Sequence, residues 1–303
     1  MKISVIFVGE LHDSGFNQRA LEGVERVQKG IVDADITVVS GVSYDPDAME
    51  KALWKTAERS GGVIFVGGQG NLVVPAAAKD FPDRSFAVVQ GNVLGANLTS
   101  YDVLQEQSAF LAGVLAARMT RTGTVGHLSG HRVAPGLKGR AAFAAGVRHG
   151  DQTVRLVTGF CGTQDDSAVT EAWARAIAVD GADILFTMLN AARDGATRAC
   201  RATGMRQIGN AVDWCAIDPE IFIASAVARI DLGVDRAIED MRRGLRPGKI
   251  LELGFRERAV SLSMSKDVPD AIRQEIADLV SQVEHGLISV DTVFDGPEFE
   301  VAA

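Results

Sequence analysis

The residues best suited to chemistry stand just after short apolar runs. The clearest group is Gly9-Glu10-Leu11-His12-Asp13-Ser14-Gly15-Phe16-Asn17-Gln18-Arg19-Ala20, which follows the run Lys2–Val8 and leads into a helical pattern. Asp13, Ser14 and Asn17 are N-cap residue types, and the unpaired N–H groups of a helix start also suit polar ligand atoms. Two uses of Asp13 and Asn17 therefore stay open: capping a turn, or contacting a ligand. Phe16 tilts the balance. A large aromatic between cap residues is badly placed for a core and well placed to stack on a planar ring. A second group, Gly67-Gly68-Gln69-Gly70-Asn71, is either a plain tight turn or one whose backbone at Gly68 and Gln69 approaches a ligand. It is no dinucleotide fingerprint, because Val73 stands where the third glycine belongs, and no P-loop, because it lacks the Gly-Lys-Ser/Thr ending.

In the second half, three runs end in polar or aromatic groups: Gly159-Phe160-Cys161-Gly162-Thr163-Gln164-Asp165, Thr187-Met188-Leu189-Asn190 and Gly209-Asn210-Ala211-Val212-Asp213-Trp214. With Phe16, the residues Phe160, Asn190, Asp213 and Trp214 would line one cleft with aromatic plates and hydrogen-bonding groups, which suits a polar aromatic ligand. Catalytic chemistry has less to build on. No Gly-x-Ser-x-Gly elbow and no His-Glu-x-x-His occurs. His127 and His131 are four apart but fall on a strand and its following loop, where that spacing does not bring two imidazoles to one metal. Asp165-Asp166 reads as a helix start. The sequence thus predicts a binding protein rather than an enzyme, with no metal and no cofactor.

These groups are positioned by an alternation of strands and helices. Strands are expected at 2–8, 36–40, 62–66, 85–90, 124–129, 153–158, 184–187, 206–210 and 222–227. Helices are expected at 17–30, 45–59, 73–80, 105–120, 138–147, 166–180, 192–203, 232–243 and 269–285. Apolar strands separated by helices of 10–16 residues imply parallel sheets covered on both faces, and ligands of such sheets collect at the carboxyl edge. In the helix at 105–120, Ala109, Ala112, Gly113 and Ala116 form a small-residue stripe suited to close packing on a sheet. The alternation pauses at Gly95–Asp102 and restarts, so two Rossmann-like α/β lobes are expected, with the pause as the first crossover. Further crossovers are expected near 224–229 and 255–263. The expected lobes are residues 1–101 plus 228–256 and residues 102–227 plus 257–303.

At 303 residues the chain exceeds what one hydrophobic core usually fills. It is 47% apolar and 23% charged, an ordinary folded composition that argues against disorder and coiled coil. A formal net charge of −8 with no basic block argues against nucleic acid as a partner. No run approaches the ~18 apolar residues that span a bilayer, so membrane insertion is not expected. The N-terminal apolar run is too short for a secretory signal and reads as a first strand. The sequence as given is therefore expected to be cytoplasmic, or periplasmic or cell-envelope if a signal peptide has been removed. Cys161, Cys200 and Cys215 are odd in number and read as free thiols.

Several segments in order resemble a known family. They are Asp13-Ser14-Gly15-Phe16-Asn17 with Ala20 and Gly23; Glu106-Gln107-Ser108-Ala109-Phe110-Leu111-Ala112-Gly113 running into Thr122-Gly123-Thr124-Val125-Gly126; Gly162-Thr163-Gln164-Asp165-Asp166; Gly181-Ala182-Asp183-Ile184-Leu185-Phe186; and Ile208-Gly209-Asn210-Ala211-Val212-Asp213. The sequence resembles the basic membrane protein family of type I periplasmic binding proteins, which includes purine nucleoside receptors, over nearly its whole length. The resemblance implies two lobes joined by three crossovers, closing by a hinge on a solute delivered to an ABC-type uptake system, with a transporter permease as partner. It implies a purine held between aromatic side chains, with its sugar fixed by acidic and basic groups. By position, Phe16 is then the first plate, Asn17 a base-contacting group, Asp213 the carboxylate for sugar hydroxyls and Phe160 the opposing plate, for which Trp214 could substitute. Asp13, Gly68, Gln69 and Asn190 complete the expected ligand set. One departure stands out: the family's nucleoside-binding lysine position is taken by Ala228, with Arg229 adjacent. The ligand expected is a purine nucleoside, a nucleobase or a similar heterocycle. The alternative is a cytoplasmic ligand-sensing regulator using the same clamp.

Overall fold

A computed structural model describes residues 1–30 and 35–301. Residues 31–34 and 302–303, which fall within the two expected lobes, lie outside the described residues. The chain divides into two units, Met1–Val103 with Arg229–Leu253 and Leu104–Ala228 with Gly254–Ala303.

The first unit begins β1 (Ile3–Val8), α1 (Phe16–Gly30), β2 (Ile36–Val42), α2 (Pro46–Ala57), β3 (Gly62–Val66), α3 (Gly70–Asp80), β4 (Ser85–Val89) and β5 (Leu98–Val103). The second runs α4 (Gln105–Met119), β6 (Thr124–Ser129), α5 (Ala134–Gly150), β7 (Arg155–Phe160), α6 (Ser167–Val179), β8 (Ile184–Met188), α7 (Arg193–Thr203), β9 (Arg206–Ala211), α8 (Trp214–Ile217) and β10 (Phe222–Ala228). The chain then returns to the first unit as α9 (Ile230–Arg242) and β11 (Ile250–Leu253), and ends in the second as β12 (Val260–Met264) and α10 (Asp270–Glu284). Among the described residues there are two six-stranded sheets, in the orders β11-β5-β4-β3-β1-β2 and β12-β10-β9-β8-β6-β7. The first is parallel throughout, and the second is parallel except for the β10–β12 pair.

Every residue of β1, β3, β4, β6 and β8 is buried, as strands covered on both faces require. The edge strand β2 is instead only partly covered and exposes Thr37, Ser40 and Gly41. The pause expected at Gly95–Asp102 is corrected, because Leu98–Val103 is a strand lying parallel to β4, with Phe86 opposite Leu98. No helix separates β4 from β5. The covering helix comes later in the chain as α9, which packs on β3, β4 and β5. Gly233 makes this possible, since a Cβ there would lie 3.1 Å from Val89. The stretch expected as a crossover near 255–263 contains the start of β12, antiparallel to β10.

The small-residue stripe of α4 was expected to face a sheet, but at Gly113 it meets α5. A Cβ on Gly113 would collide with the Phe143 carbonyl, and one on Gly146 with the Phe110 carbonyl. The two backbones cross at near contact, and α4 is buried almost all round. Between α1 and α9 lies a buried charge cluster. Asp231, with a fully buried side chain, receives Arg26 and Arg229 at 2.7 Å each and Arg19 at 3.3 Å. The three cysteines are free. Among the described residues no helix is long and apolar enough to cross a membrane.

Candidate functional site

In the first unit, the loop after β1 is built by two polar side chains. The Asp13 carboxylate accepts the N–H groups of Gly15 (2.9 Å), Asn17 (2.9 Å) and Gln18 (3.0 Å), which caps the first turn of α1. Asn17 donates its amide to the carbonyls of Val8 and Glu10, both at 2.8 Å, and ties the loop back to the strand end. Both side chains are 2% exposed. Of the two uses left open by the sequence, the amide N–H groups of Asn17 serve the loop. Phe16, the first residue of α1, is half-buried. Ser14 adopts a left-handed φ of 51°, which bends the loop just before it.

After β3, Gly67 has φ +113° and the Gln69 side chain folds over it, leaving no room for a Cβ. Gly68 is buried and Gln69 half-buried at the start of α3. Two residues that sequence reasoning passed over stand on the same carboxyl edge. Tyr44, in the turn between β2 and α2, lays its ring against Gly9. Gln90, at the end of β4, is left-handed (φ 67°) and donates from its amide to the Val103 carbonyl at 2.8 Å. A non-glycine residue held there costs on the order of 1–3 kcal/mol, and such strain gathers at functional sites. Tyr44 carried a usable signal: it is one of two tyrosines and stands two residues past the end of a strand. Gln90 carried none beyond its place before Gly91.

In the second unit, Phe160 ends β7 half-buried, with the guanidinium carbons of Arg132 and Arg140 at 4.9 and 5.0 Å from its ring centroid. Both arginines also pair with Glu298 in the chain's last stretch. The Arg132 hydrogen bond, opposed by partial burial and joined by Arg140, holds the Glu298 carboxyl down at about 2. Behind Phe160, the fully buried His127 lies between Thr158 and Ser129, each at 2.9 Å. Burial and the charge of Arg140 push its imidazole down to about 3, against the pull of Glu298, so it is neutral at ordinary pH. Among the described residues no His, Cys, Asp or Glu cluster could hold a metal ion.

Asn190 is 8% exposed in the loop after β8, and its N–H donates to the Gln164 side chain at 3.1 Å. Asp213 caps α8 through the Ala216 N–H at 3.3 Å and accepts the Ser263 hydroxyl at 2.9 Å, remaining half-buried. Trp214 is different. Its indole N–H donates to the Asn210 carbonyl at 3.1 Å, the Arg193 guanidinium lies 4.2 Å from its ring centroid, and Phe222 packs on it at 5.5 Å. At 9% exposure it packs in the hydrophobic core of this unit. Ala228 is fully buried, and Arg229 beside it turns to Asp231.

Within the first unit the carboxyl edge therefore brings together Asp13, Phe16 and Asn17 after β1 with Gly68 and Gln69 after β3. Within the second it brings together Phe160, Asn190 and Asp213, with Trp214 folded inward.

A family model described as "ABC transporter substrate-binding protein PnrA-like" matches residues 1–292. Basic membrane protein A of Borreliella burgdorferi is 24% identical over 294 residues, covering 93% of this chain and 85% of the relative. A protein named as purine-binding from Brucella abortus is 21% identical over 300 residues, covering 98% and 84%. Among solved structures, an ABC transporter solute-binding protein from Aeropyrum pernix K1 superposes with a TM-score of 0.86 at 19% identity, covering 97% of this chain and 94% of that one. The fold is thus the α/β fold of periplasmic solute-binding proteins. The family binds solute for ABC transport and is not enzymatic. The chain belongs to the PnrA-like family of ABC transporter substrate-binding proteins.

Proposed function

We propose that this protein binds a purine nucleoside, a nucleobase or a closely similar heterocycle and delivers it to an ABC transporter permease. The observation that carries the reading is Phe16. Its ring stands half-buried at the start of α1, on a loop whose shape Asp13 and Asn17 fix, and it has no hydrogen-bonding duty of its own. A rigidly mounted aromatic at a carboxyl edge suits stacking on a flat ring. The purine-binding name of the Brucella relative points the same way.

In this reading Phe16 stacks on the heterocycle, the backbone at Gly68 and Gln69 approaches it, and Asn190 and Asp213 take its polar atoms. Asp213 holds one local hydroxyl, so a ligand hydroxyl would share or replace that bond. Phe160 is the weaker plate, because two guanidiniums already lie over its ring. The buried Ala228 and the engaged Arg229 favour a ligand whose recognition needs no cation there, and so favour a nucleobase over its nucleoside. Hinge closure between lobes, implied by the family resemblance, would couple the two sets of residues. Substrate capture for an ABC importer happens before the solute crosses the membrane, so the cytoplasmic expectation gives way to a periplasmic or cell-envelope location. The regulator alternative is not favoured, since the matching family is a transporter's.

A thermal-shift screen of nucleobases, nucleosides, sugars and amino acids tests the proposal, with mass spectrometry of co-purifying compounds beside it. A ligand that binds only the folded form raises the melting temperature in proportion to log concentration once it exceeds Kd. The expected result is a dose-dependent rise with purines. A rise with sugars or amino acids alone would overturn it.

A further inference from the structure

Away from the carboxyl edges, the first unit carries a groove of about 700 Å³ between α2 and the edge of its sheet at β1 and β2. Val39 and Ala52 contribute apolar surface to its wall, and Lys2, Lys51, Lys55 and Arg59 line it with positive charge. The concentration is unusual for a chain of net charge −8: three of its eight lysines line this one groove. None of the four cations forms an ion pair among the described residues, whereas most arginines elsewhere are paired with carboxylates. Along the same groove runs β2, the last strand of its sheet, paired among the described residues with β1 alone. The Ile36 carbonyl at its start accepts the Gln28 amide at 3.0 Å, and the outer backbone groups beyond it are a template for another extended chain.

The geometry points to an acidic, extended polypeptide segment of a partner protein as the occupant. Lys51 and Lys55 stand four residues apart on α2, about 6 Å along a helix that rises ~1.5 Å per residue, and Arg59 follows in the turn just after its end. Side chains on one face of an extended strand recur every two residues, at about 6.6 Å. A strand with Asp or Glu at alternate positions, added to β2, therefore meets the three cations nearly one for one, while its backbone takes the open hydrogen-bonding positions. Pairing of β2 with a second copy of this chain is disfavoured, because each copy would bring the same basic rim. A free phosphate would use the charge but not the strand edge.

The test uses the whole protein and a fluorescein-labelled nine-residue peptide alternating Glu with Val, read by fluorescence anisotropy. Three probes accompany it: the same peptide N-methylated at alternate backbone nitrogens, inorganic phosphate as competitor, and vesicles with anionic headgroups. Saturable binding of the parent peptide is expected, weakened at least tenfold by N-methylation and by the double variant Lys51→Glu/Lys55→Glu. These two lysines are exposed, and circular dichroism and purine-induced thermal shift report whether the variant remains folded. Equal binding of the N-methylated peptide would show that charge alone acts and would overturn the proposal. So would full displacement by millimolar phosphate, or binding of vesicles with no binding of the peptide.

Discussion

The Arg229 guanidinium lies 2.7 Å from the carboxylate of Asp231, two residues further along the chain, and the Asp231 side chain is wholly buried. The Arg229 cation beside the buried Ala228 is therefore spent inside the first unit, where it helps join α1 to α9. Removing the acceptor leaves three partly exposed guanidiniums, of which Arg19 keeps Glu22 and Arg26 keeps Asp235, so Asp231→Ala should cost about 1–3 kcal/mol, read as a fall in the urea midpoint. Arg229→Ala, by contrast, should change heterocycle affinity by less than about threefold, or roughly 0.7 kcal/mol, since its guanidinium is engaged by Asp231. Calorimetric titration checks the second outcome.

The same cluster has a pH signature. Burial pushes the Asp231 carboxyl up, but hydrogen bonds from Arg229 and Arg26 and the charge of Arg19 outweigh it, and the net shift is downward. A depressed carboxyl contributes stability that is complete above its unfolded value of about 4 and is lost as pH falls through the lower folded value. The stability gap between the wild type and Asp231→Asn should accordingly be constant from pH 7 to 5 and narrow below pH 4. Urea titrations at four or five pH values measure it, and a gap that widens on acidification would contradict the assignment.

Trp214 separates a packing role from a binding role. With its ring against Arg193 and Phe222 and its indole N–H on the Asn210 carbonyl, Trp214→Ala should lose about 3–5 kcal/mol of stability. Trp214→Phe, which keeps the ring, should retain most of that. Guanidinium denaturation of both variants gives the comparison.

The crossing of α4 and α5 is equally specific. Gly146→Ala places a methyl group against the Phe110 carbonyl and should cost about 1–3 kcal/mol or more as the helices separate. Gly162→Ala at an open turn tests something else: it meets no atom within 4 Å, so any loss there comes from its φ of +78° alone. Thermal unfolding of both variants should show the larger drop for Gly146→Ala.

Much of this fold was legible because β1, β3, β4, β6 and β8 are buried on both faces and read as continuous apolar runs. The strand β5 was not legible. Its Thr99, Ser100 and Asp102 look solvent-facing in sequence yet are all buried, with the Ser100 hydroxyl satisfied by the Val93 carbonyl and Thr99 taking the Gly248 N–H. Its covering helix, α9, arrives over a hundred residues later, so no local pattern could announce a β4–β5 pair. At the candidate site, the cap chemistry of Asp13 was readable from residue type and spacing. The fate of Trp214 was not, because an aromatic three residues past a strand gives the same signal whether it turns out to a ligand or in to Phe222. Tyr44 was overlooked because its contact is to Gly9, on a different strand's loop.

The most direct test of the binding account is isothermal titration of adenine, guanine, hypoxanthine and their nucleosides into the wild type, Phe16→Ala and Asp213→Ala. Binding of at least one purine in the micromolar range or tighter, about −8 kcal/mol, is predicted, with each substitution weakening it at least tenfold, or about 1.4 kcal/mol. Purine binding unchanged in both variants, or no purine binding at all by a protein that binds another solute class, would contradict it.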